Sequence, residues 1–317
     1  MKPPPFAYRA PASVDEALDD LADLGDEGKV LAGGQSLIPL LNLRLAAPSA
    51  LVDINTVAGL DGIRVAGGAV EVGATVRHSA LERHDDAAAA CPLLRQALRL
   101  VAHPVVRNRG TVCGSIAHAD PAGELTAVLA VLGGTVRVER AGAGPRDIPA
   151  DAFFVGPFET VLEPTDLVTA ATFPRMNDRC GSAFVELARR HGDYALCGVG
   201  AVVELDGDGS IASARASAIS IHPTPLVVDC SDVLAGRPPD NGALASAAEL
   251  VDARSAPSAD LHATVAYRRH LTRVLTTRAL SAAVTHARTR DQAGPRGEGE
   301  AASRGQRAGG RGPQEAA

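Results

Sequence analysis

Tryptophan is absent from the 317-residue chain, and aromatic residues make up only 3% of it, although 46% of its residues are hydrophobic. The core must therefore be built mainly from Ala, Val and Leu, and the length is sufficient for two domains. No apolar run is long enough to span a bilayer, and residues 1–26 lack the apolar stretch of a signal peptide. These absences predict a soluble, cytoplasmic protein.

A surplus of positive charge is also missing, since Lys and Arg number 31 against 37 Asp and Glu, a formal net charge of −6. Nucleic-acid binding needs a basic surface, so that class of partner is not expected. No two of the five cysteines form a Cys-x-x-Cys pair, which argues against a zinc or iron–sulfur site and favours reduced core thiols. The cysteines are Cys91, Cys113, Cys180, Cys197 and Cys230.

Two glycine-rich stretches are the most informative features that the sequence does contain. In residues 30–39 an apolar strand breaks at Gly33 and Gly34 and enters a helical segment through Ser36. Residues 107–121 again combine glycines with small hydroxyl residues and end in an Asp-Pro helix start. A strand, a glycine turn and a helix start together form a cradle of backbone N–H groups that suits a pyrophosphate. Either stretch alone is equally consistent with an ordinary turn before a capped helix.

Local patterns predict helices and strands in two regions, with the boundary in the loop 175–180. Ser13 and Glu16 form a capping box, and Gly25 ends the helix that follows. Pro92 is predicted to open a helix that ends near residue 103, and Asp120 to cap another helix. The predicted strands are 29–32, 50–54, 63–66, 69–73, 135–140, 167–173, 182–190, 194–205 and 210–221. Helices are predicted at 241–253 and 260–286, and the composition from Arg288 onward predicts a disordered tail.

The paired stretches, residues 32–37 and 107–121, closely resemble the FAD-binding medium subunit of the molybdenum hydroxylases, the xanthine dehydrogenase and aerobic carbon monoxide dehydrogenase family. Phe153-Phe154 and residues 192–195 extend the resemblance to about residues 6–286. It implies an α+β flavoprotein with a two-lobed FAD-binding domain of the vanillyl-alcohol-oxidase (PCMH-like) type. The absence of a Gly-x-Gly-x-x-Gly fingerprint agrees that it is not a Rossmann fold. That domain is expected at 1–176, with its lobes split near 55–60. A small domain of antiparallel sheet plus helices is expected at 177–287, and the tail at 288–317.

The resemblance also implies which residues bind FAD. Ser36 would cap its helix and donate to a phosphate, and Tyr194 would place its ring against the isoalloxazine. Glu124 is expected on FAD hydroxyls or on the adenosine side, the alternative being a surface carboxylate at a helix start. Asp120 is more readily an N-cap than a ligand. The alternative for Tyr194 is a half-buried strand tyrosine. The full expected set is Leu31, Ala32, Gly33, Gly34, Gln35, Ser36, Leu37, Thr111, Gly114, Ser115, Ala117, Asp120, Glu124, Leu167, Val168 and Tyr194.

Two positions depart from the pattern of the family. Cys113 stands where glycine is usual, and a cysteine there would be strained if the backbone needed a positive φ. Glu186 stands where many relatives carry a lysine facing the flavin. A carboxylate at that position disfavours negative charge nearby, so we expect a lower flavin potential than in relatives with the lysine.

The resemblance implies that the chain is the FAD-carrying electron-transfer subunit of a multi-subunit molybdenum hydroxylase. Electrons would arrive from 2Fe–2S clusters on a small subunit and leave to a quinone, NAD or oxygen, while a large subunit carries the molybdenum cofactor. A dimer of such heterotrimers is expected. No residue of this chain is expected to act on the organic substrate or to bind a metal. Two other hypotheses are a free-standing FAD oxidase or dehydrogenase of the vanillyl-alcohol oxidase type and a structural subunit without FAD.

Overall fold

Three β-sheets and one isolated β-hairpin organise residues 1–292, the part of the chain that the computed structural model describes. The strands are β1 (Ala7–Arg9), β2 (Gly28–Leu31), β3 (Ala50–Asp53), β4 (Ile63–Ala66), β5 (Ala69–Gly73), β6 (Thr135–Arg140), β7 (Ala143–Pro149), β8 (Phe154–Gly156), β9 (Glu159–Thr160), β10 (Leu167–Pro174), β11 (Cys180–Ala188), β12 (Ala195–Leu205), β13 (Ile211–Ile219) and β14 (Leu226–Asp229).

The helices alternate with these strands and then dominate the end of the described region. They are α1 (Val14–Leu24), α2 (Leu37–Asn42), α3 (His78–Arg83), α4 (Asp85–Ala90), α5 (Pro92–Leu98), α6 (Pro104–Arg107), α7 (Val112–His118), α8 (Glu124–Leu132), α9 (Ala150–Phe153), α10 (Ser231–Leu234), α11 (Asn241–Arg254) and α12 (Val265–Gln292). No helix within residues 1–292 is both long and apolar enough to cross a membrane.

The first sheet is a small parallel one with the strand order β1-β3-β2. Helix α1 connects β1 to β2 and begins as predicted: Ser13 Oγ accepts the Glu16 N–H at 3.2 Å, and the Glu16 carboxylate accepts the Ala12 N–H at 2.7 Å. Helix α2 connects β2 to β3. Because β2 and β3 are parallel, their carboxyl ends lie at the same edge of the sheet. This edge positions the first glycine stretch.

The second sheet is antiparallel, with the strand order β4-β5-β10-β6-β7. The predicted hairpin between β4 and β5 is confirmed, and its turn uses Gly67 (φ 59°) and Gly68 (φ 77°), a combination that only glycine adopts easily. Helices α5, α7 and α8 pack with this sheet over one hydrophobic core. That core is largely aliphatic, as the composition predicts, with Phe153 and Phe173 as fully buried aromatic side chains.

The third sheet is antiparallel, with the strand order β11-β12-β13-β14, and helices α11 and α12 cover it. A second core of Ala, Val and Leu lies between that sheet and the two helices. The mixed α/β content with small antiparallel sheets and helices agrees with the predicted α+β class. Helix α12 runs to Gln292 and so passes the predicted start of the tail at Arg288. The rest of that predicted tail lies outside the described residues.

Two predicted helix boundaries are wrong. The helix that opens at Pro92 ends at Leu98 rather than near residue 103, and the short helix α6 follows. Helix α8 begins at Glu124 with Gly123 as its N-cap, not at Asp120. The Asp120 carboxylate instead accepts the Ala122 N–H at 2.8 Å, which closes a separate turn before the helix.

Candidate cofactor site

A cleft of about 440 Å³ opens where β2 and β3 end. Parallel sheets bind ligands at the carboxyl ends of their strands, because the loops there diverge and leave backbone groups free. The residues of the first glycine stretch that line the cleft are Leu31, Ala32, Gly33, Gly34, Gln35, Ile38 and Pro39, and Asn42 lines it from the end of helix α2. Asp53, Asn55 and Arg109 complete its lining.

The two glycine stretches touch each other at Gly33. A methyl carbon added there would lie 2.5 Å from the Arg109 carbonyl oxygen and 2.7 Å from Gly110 Cα. These neighbours are backbone atoms, which cannot rotate away as a side chain would. Gly33 is therefore required by the close approach of the two backbones, and the structure brings together the two stretches that the sequence singled out.

Four consecutive backbone N–H groups of the first stretch, those of Gly34, Gln35, Ser36 and Leu37, have no acceptor among residues 1–292. Gly34 adopts a φ of 72°, which turns the chain at this point. The prediction that Ser36 caps helix α2 is wrong, because its side chain makes no capping hydrogen bond. The loop therefore presents free donors beside the cleft, an arrangement that suits an anionic ligand.

A polar network at the end of β3 supports the first stretch. Asn55 Nδ2 donates to the Ala32 carbonyl at 2.8 Å and to Asp53 Oδ1 at 2.5 Å. The other oxygen of Asp53 accepts the Tyr8 hydroxyl at 2.6 Å, and this hydrogen bond raises the pKa of Tyr8. Asn55 is thus held in one orientation, because its amide nitrogen donates to two separate acceptors.

Two arginines make the cleft electropositive. Arg77 Nη1 donates to the Arg109 carbonyl at 2.6 Å, and its Nη2 donates to Asn55 Oδ1 at 2.5 Å. Partial burial, together with the neighbouring charge of Arg109, lowers the pKa of Arg77, which remains a strong cation at neutral pH. Arg109 itself is exposed and borders the cleft. Asp53, which also lines the cleft, offsets part of this charge, and the two guanidinium groups remain the cations available to an anionic ligand.

The second stretch engages both of its hydroxyl side chains within the protein. Thr111 is only 2% exposed, and its Oγ1 accepts the Gly114 N–H at 3.1 Å, which caps helix α7. Ser115 Oγ lies 3.0 Å from His78 Nε2, and burial lowers the pKa of His78 to about 4, so His78 is neutral at pH 7. Ala117 is half-buried on the same helix. This stretch is a capped helix start that buttresses the first loop.

The strain considered for Cys113 does not arise. The residue lies inside helix α7 and is not among the residues with a positive φ. It is buried, its Sγ lies 3.4 Å from the Val72 carbonyl oxygen, and burial raises its pKa to about 12. All five cysteines are free thiols, as predicted, and residues 1–292 contain no His, Cys, Asp and Glu cluster that could hold a metal.

Asp120, Glu124, Glu186 and Tyr194 form a second group, where α8 packs against β12 and β13. Burial, then the charge of Glu186, raises the pKa of Glu124 to about 8, and burial raises that of Glu186 to about 7. One oxygen of Glu186 is buried without a hydrogen-bond partner in the described chain. Tyr194 is 73% exposed; partial desolvation and the charges of Asp120 and Glu124 raise its pKa. Glu124 and Glu186 therefore hold their protons more tightly than isolated carboxylates do.

Leu167 and Val168 lie away from the open cleft. They begin strand β10, pair with Glu139 and Val138 of β6, and are 1% and 9% exposed. Both belong to the first hydrophobic core, and neither lines the cleft.

Four residues at or beside the cleft are not among the predicted site residues: Asp53, Asn55, Arg77 and Arg109. Asp53 and Asn55 had a usable signal: they follow a strand that could have been paired in parallel with the strand before Gly33. Arg77 had none, because it reaches Asn55 and Arg109 across 22 and 32 residues of sequence.

The chain is similar to proteins of two known domain families. A family described as "FAD binding domain in molybdopterin dehydrogenase" matches residues 4–176, and "CO dehydrogenase flavoprotein C-terminal domain" matches residues 182–283. The chain is 38% identical to the 6-hydroxypseudooxynicotine dehydrogenase complex subunit alpha of Paenarthrobacter nicotinovorans, over 91% of this chain and 97% of that one. It is 36% identical to the carbon monoxide dehydrogenase medium chain of Hydrogenophaga pseudoflava, over 89% and 98%.

Among solved structures, quinoline 2-oxidoreductase from Pseudomonas putida 86 aligns with a TM-score of 0.85 and 36% identity. The alignment covers 90% of this chain and 99% of that one. The similarity therefore includes both glycine stretches and the third sheet with its helices.

Proposed function

The chain belongs to the FAD-binding medium subunits of the molybdenum hydroxylases, and from this premise we propose that its cleft holds the FAD pyrophosphate. When bound, the flavin supplies the redox chemistry, taking electrons from 2Fe–2S clusters on a partner chain for delivery to a quinone, NAD or oxygen. The residues of this chain bind and orient that cofactor. None of them is proposed to act on the organic substrate.

The observation that carries the proposal is the contact between the two glycine stretches beside four unpaired N–H groups. The N–H groups of Gly34, Gln35, Ser36 and Leu37 supply hydrogen-bond donors, and Arg77 and Arg109 supply positive charge. A diphosphate needs both, and the gap that Gly33 leaves free is too narrow for a side chain. The residues present therefore fit the phosphate end of FAD.

The remaining expected residues receive roles further along the cofactor. Thr111, Gly114, Ser115 and Ala117, at the N-cap of helix α7 and within it, would hold the pyrophosphate and ribityl chain through backbone and hydroxyl groups. Asp120 and Glu124 would accept from FAD hydroxyls, and Leu167 and Val168 would supply apolar or backbone contacts to the ring system, outside the cleft proposed for the phosphates. Tyr194, which is exposed, is free to close over the isoalloxazine.

Glu186 keeps its proposed effect on the flavin potential, with a pH dependence added. Its pKa of about 7 means that its negative charge develops only as the pH rises through neutrality. The lowering of the potential relative to Glu186→Lys is therefore expected to be larger at pH 8 than at pH 6.

The domain organisation follows the same reasoning. We place the FAD-binding domain at residues 1–176, with one lobe built on the parallel sheet and the other on the five-stranded sheet, divided near 55–60. The cleft then lies between loops from both lobes. The second domain, residues 177–287, is supported by its separate hydrophobic core.

The partners are a large subunit that carries the molybdenum cofactor and a small subunit that carries the 2Fe–2S clusters, in a dimer of heterotrimers. Medium chains of known dehydrogenase complexes, among them that of carbon monoxide dehydrogenase, support this assignment.

A direct test expresses the chain alone, removes bound flavin and titrates it with FAD. Saturable uptake at one FAD per chain, followed by flavin fluorescence, is the expected result. A correctly folded chain that takes up no FAD would contradict the proposal.

A further inference from the structure

We propose that Asn55 and Arg77 form a positioning clamp that turns the carbonyl oxygens of both glycine stretches away from the phosphate and fixes the distance between them. The inference rests on the proposed function and extends it to two residues that make no proposed contact with the cofactor's reacting atoms. The clamp runs from the Ala32 carbonyl through Asn55 and Arg77 to the Arg109 carbonyl.

The orientation of the Asn55 amide is determined by its neighbours. Its nitrogen donates both to the Ala32 carbonyl and to a carboxylate oxygen of Asp53, and neither of these atoms can donate in return. The amide oxygen must therefore face Arg77, which can only donate. Reversing the amide would place acceptor against acceptor at two points and donor against donor at the third.

Arg77 closes the clamp on the side of the second stretch. Its planar guanidinium offers two separate nitrogens, one for Asn55 Oδ1 at 2.5 Å and one for the Arg109 carbonyl at 2.6 Å. The backbone around it is also fixed, because the His78 N–H donates to the Gly110 carbonyl at 2.9 Å and the Val112 N–H to the Val76 carbonyl at 3.1 Å. Arg77 thus bridges two loops from a rigid base.

The consequence for ligand binding is electrostatic. A carbonyl oxygen that faced a pyrophosphate would repel it, whereas an N–H group attracts it. The clamp donates hydrogen bonds to two carbonyls: that of Ala32, the residue before Gly33, and that of Arg109, which Gly33 approaches closely. The adjacent N–H groups of residues 34–37 are left for the ligand.

The test measures equilibrium dissociation constants of the full-length chain, stripped of flavin, for FAD, ADP and AMP. ADP carries a diphosphate and AMP does not, so the pair isolates the phosphate that the clamp serves. The variants are Arg77→Gln and Arg77→Lys, and Lys cannot reach both acceptors. Arg64→Gln is the matched control, because Arg64 pairs with Glu71 on an exposed part of the second sheet.

For Arg77→Gln we expect the dissociation constants of FAD and ADP to rise about 10- to 100-fold, with AMP affected less than about threefold. Arg77→Lys keeps the positive charge but not both hydrogen bonds, so it should also weaken FAD and ADP binding, and wild-type affinity in this variant would overturn the clamp. Arg64→Gln should match wild type. Should Arg77→Gln fail to fold, Arg77→Lys carries the same comparison. Unchanged FAD and ADP binding, or an equal loss for AMP, would overturn the clamp. Failure of the wild-type chain itself to bind FAD would instead overturn the proposed function.

Discussion

The two glycine stretches look alike in sequence but differ in how their polar groups are hydrogen-bonded in the structure. The first leaves four backbone N–H groups without acceptors, and its Ser36 makes no cap. In the second stretch the hydroxyl groups are engaged: Thr111 Oγ1 accepts the Gly114 N–H, and Ser115 Oγ lies beside His78 Nε2. The first stretch is thus an open loop with free N–H groups, and the second is a capped helix start against which that loop packs. Glycine and hydroxyl content alone does not separate these roles.

The largest expected effect comes from closing the gap between the two stretches. Gly33→Ala puts a methyl group 2.5 Å from the Arg109 carbonyl oxygen, so the loops must separate. We expect the free energy of unfolding of the chain to fall by about 3 kcal/mol and FAD affinity to fall by about 100-fold. Denaturant unfolding and FAD titration measure the two effects.

Gly62→Ala is the control for this substitution, since Gly62 has open space around its Cα and no positive φ. It should change stability by less than about 0.5 kcal/mol. Equal behaviour of the two variants would show that the stretches are not in contact.

A second effect concerns the carboxylates that follow the second stretch and have no equivalent after the first. Burial raises the pKa of Glu124 to about 8 and that of Glu186 to about 7 in the folded chain. The folded state therefore binds more protons than the unfolded state above about pH 4.5, so stability falls as the pH rises and levels off above both folded pKa values. The charges facing Glu124 come from Glu186 and Asp120, with Tyr194 neutral nearby.

From pH 5 to pH 8 we expect the free energy of unfolding to fall, with Glu124 contributing more than Glu186 because its pKa is raised further. In Glu124→Gln this slope should be clearly flatter, because Gln does not ionise. Urea unfolding at several pH values measures it; a slope in Glu124→Gln equal to that of wild type would contradict the assignment.

A third effect concerns the stability that Thr111 contributes as the cap of helix α7. Thr111→Val removes the acceptor of the Gly114 N–H and should lower the free energy of unfolding by about 1–2 kcal/mol. Thr111→Ser keeps the cap and should recover most of that loss. If Val and Ser are equally stable by thermal unfolding, the cap is not what Thr111 contributes.

The smallest effect on stability is expected at Ser36. Because its side chain makes no capping bond, Ser36→Ala should change the free energy of unfolding by less than about 0.5 kcal/mol. If its hydroxyl donates to a phosphate, FAD affinity should still fall by about tenfold. A destabilised Ser36→Ala with normal FAD affinity would reverse the roles assigned to the two stretches.

Local signals in the sequence were enough to predict much of the fold. The Ser13–Glu16 cap, the Gly67-Gly68 hairpin and the long strands of the third sheet are each specified by neighbouring residues, and all three are confirmed. The start of α8 was misplaced because Asp120 has the chemistry of a cap but closes an earlier turn. The capping prediction for Ser36 is wrong for a similar reason: the residue stands directly before helix α2, but its hydroxyl accepts no N–H of that helix.

Only the part of the candidate site that is formed by backbone groups could be predicted from the sequence. Gly33 and Gly34 were found because glycine reports a backbone constraint that is local. Asn55 and Arg77 were missed because their roles depend on where distant loops meet, which no short pattern encodes.

A crystal structure of the full chain with bound FAD tests the central claim most directly. The account predicts the pyrophosphate within hydrogen-bonding distance of the N–H groups of residues 34–37, with Gly33 still against Arg109 and Gly110. A pyrophosphate bound elsewhere, with those N–H groups facing solvent, would contradict it.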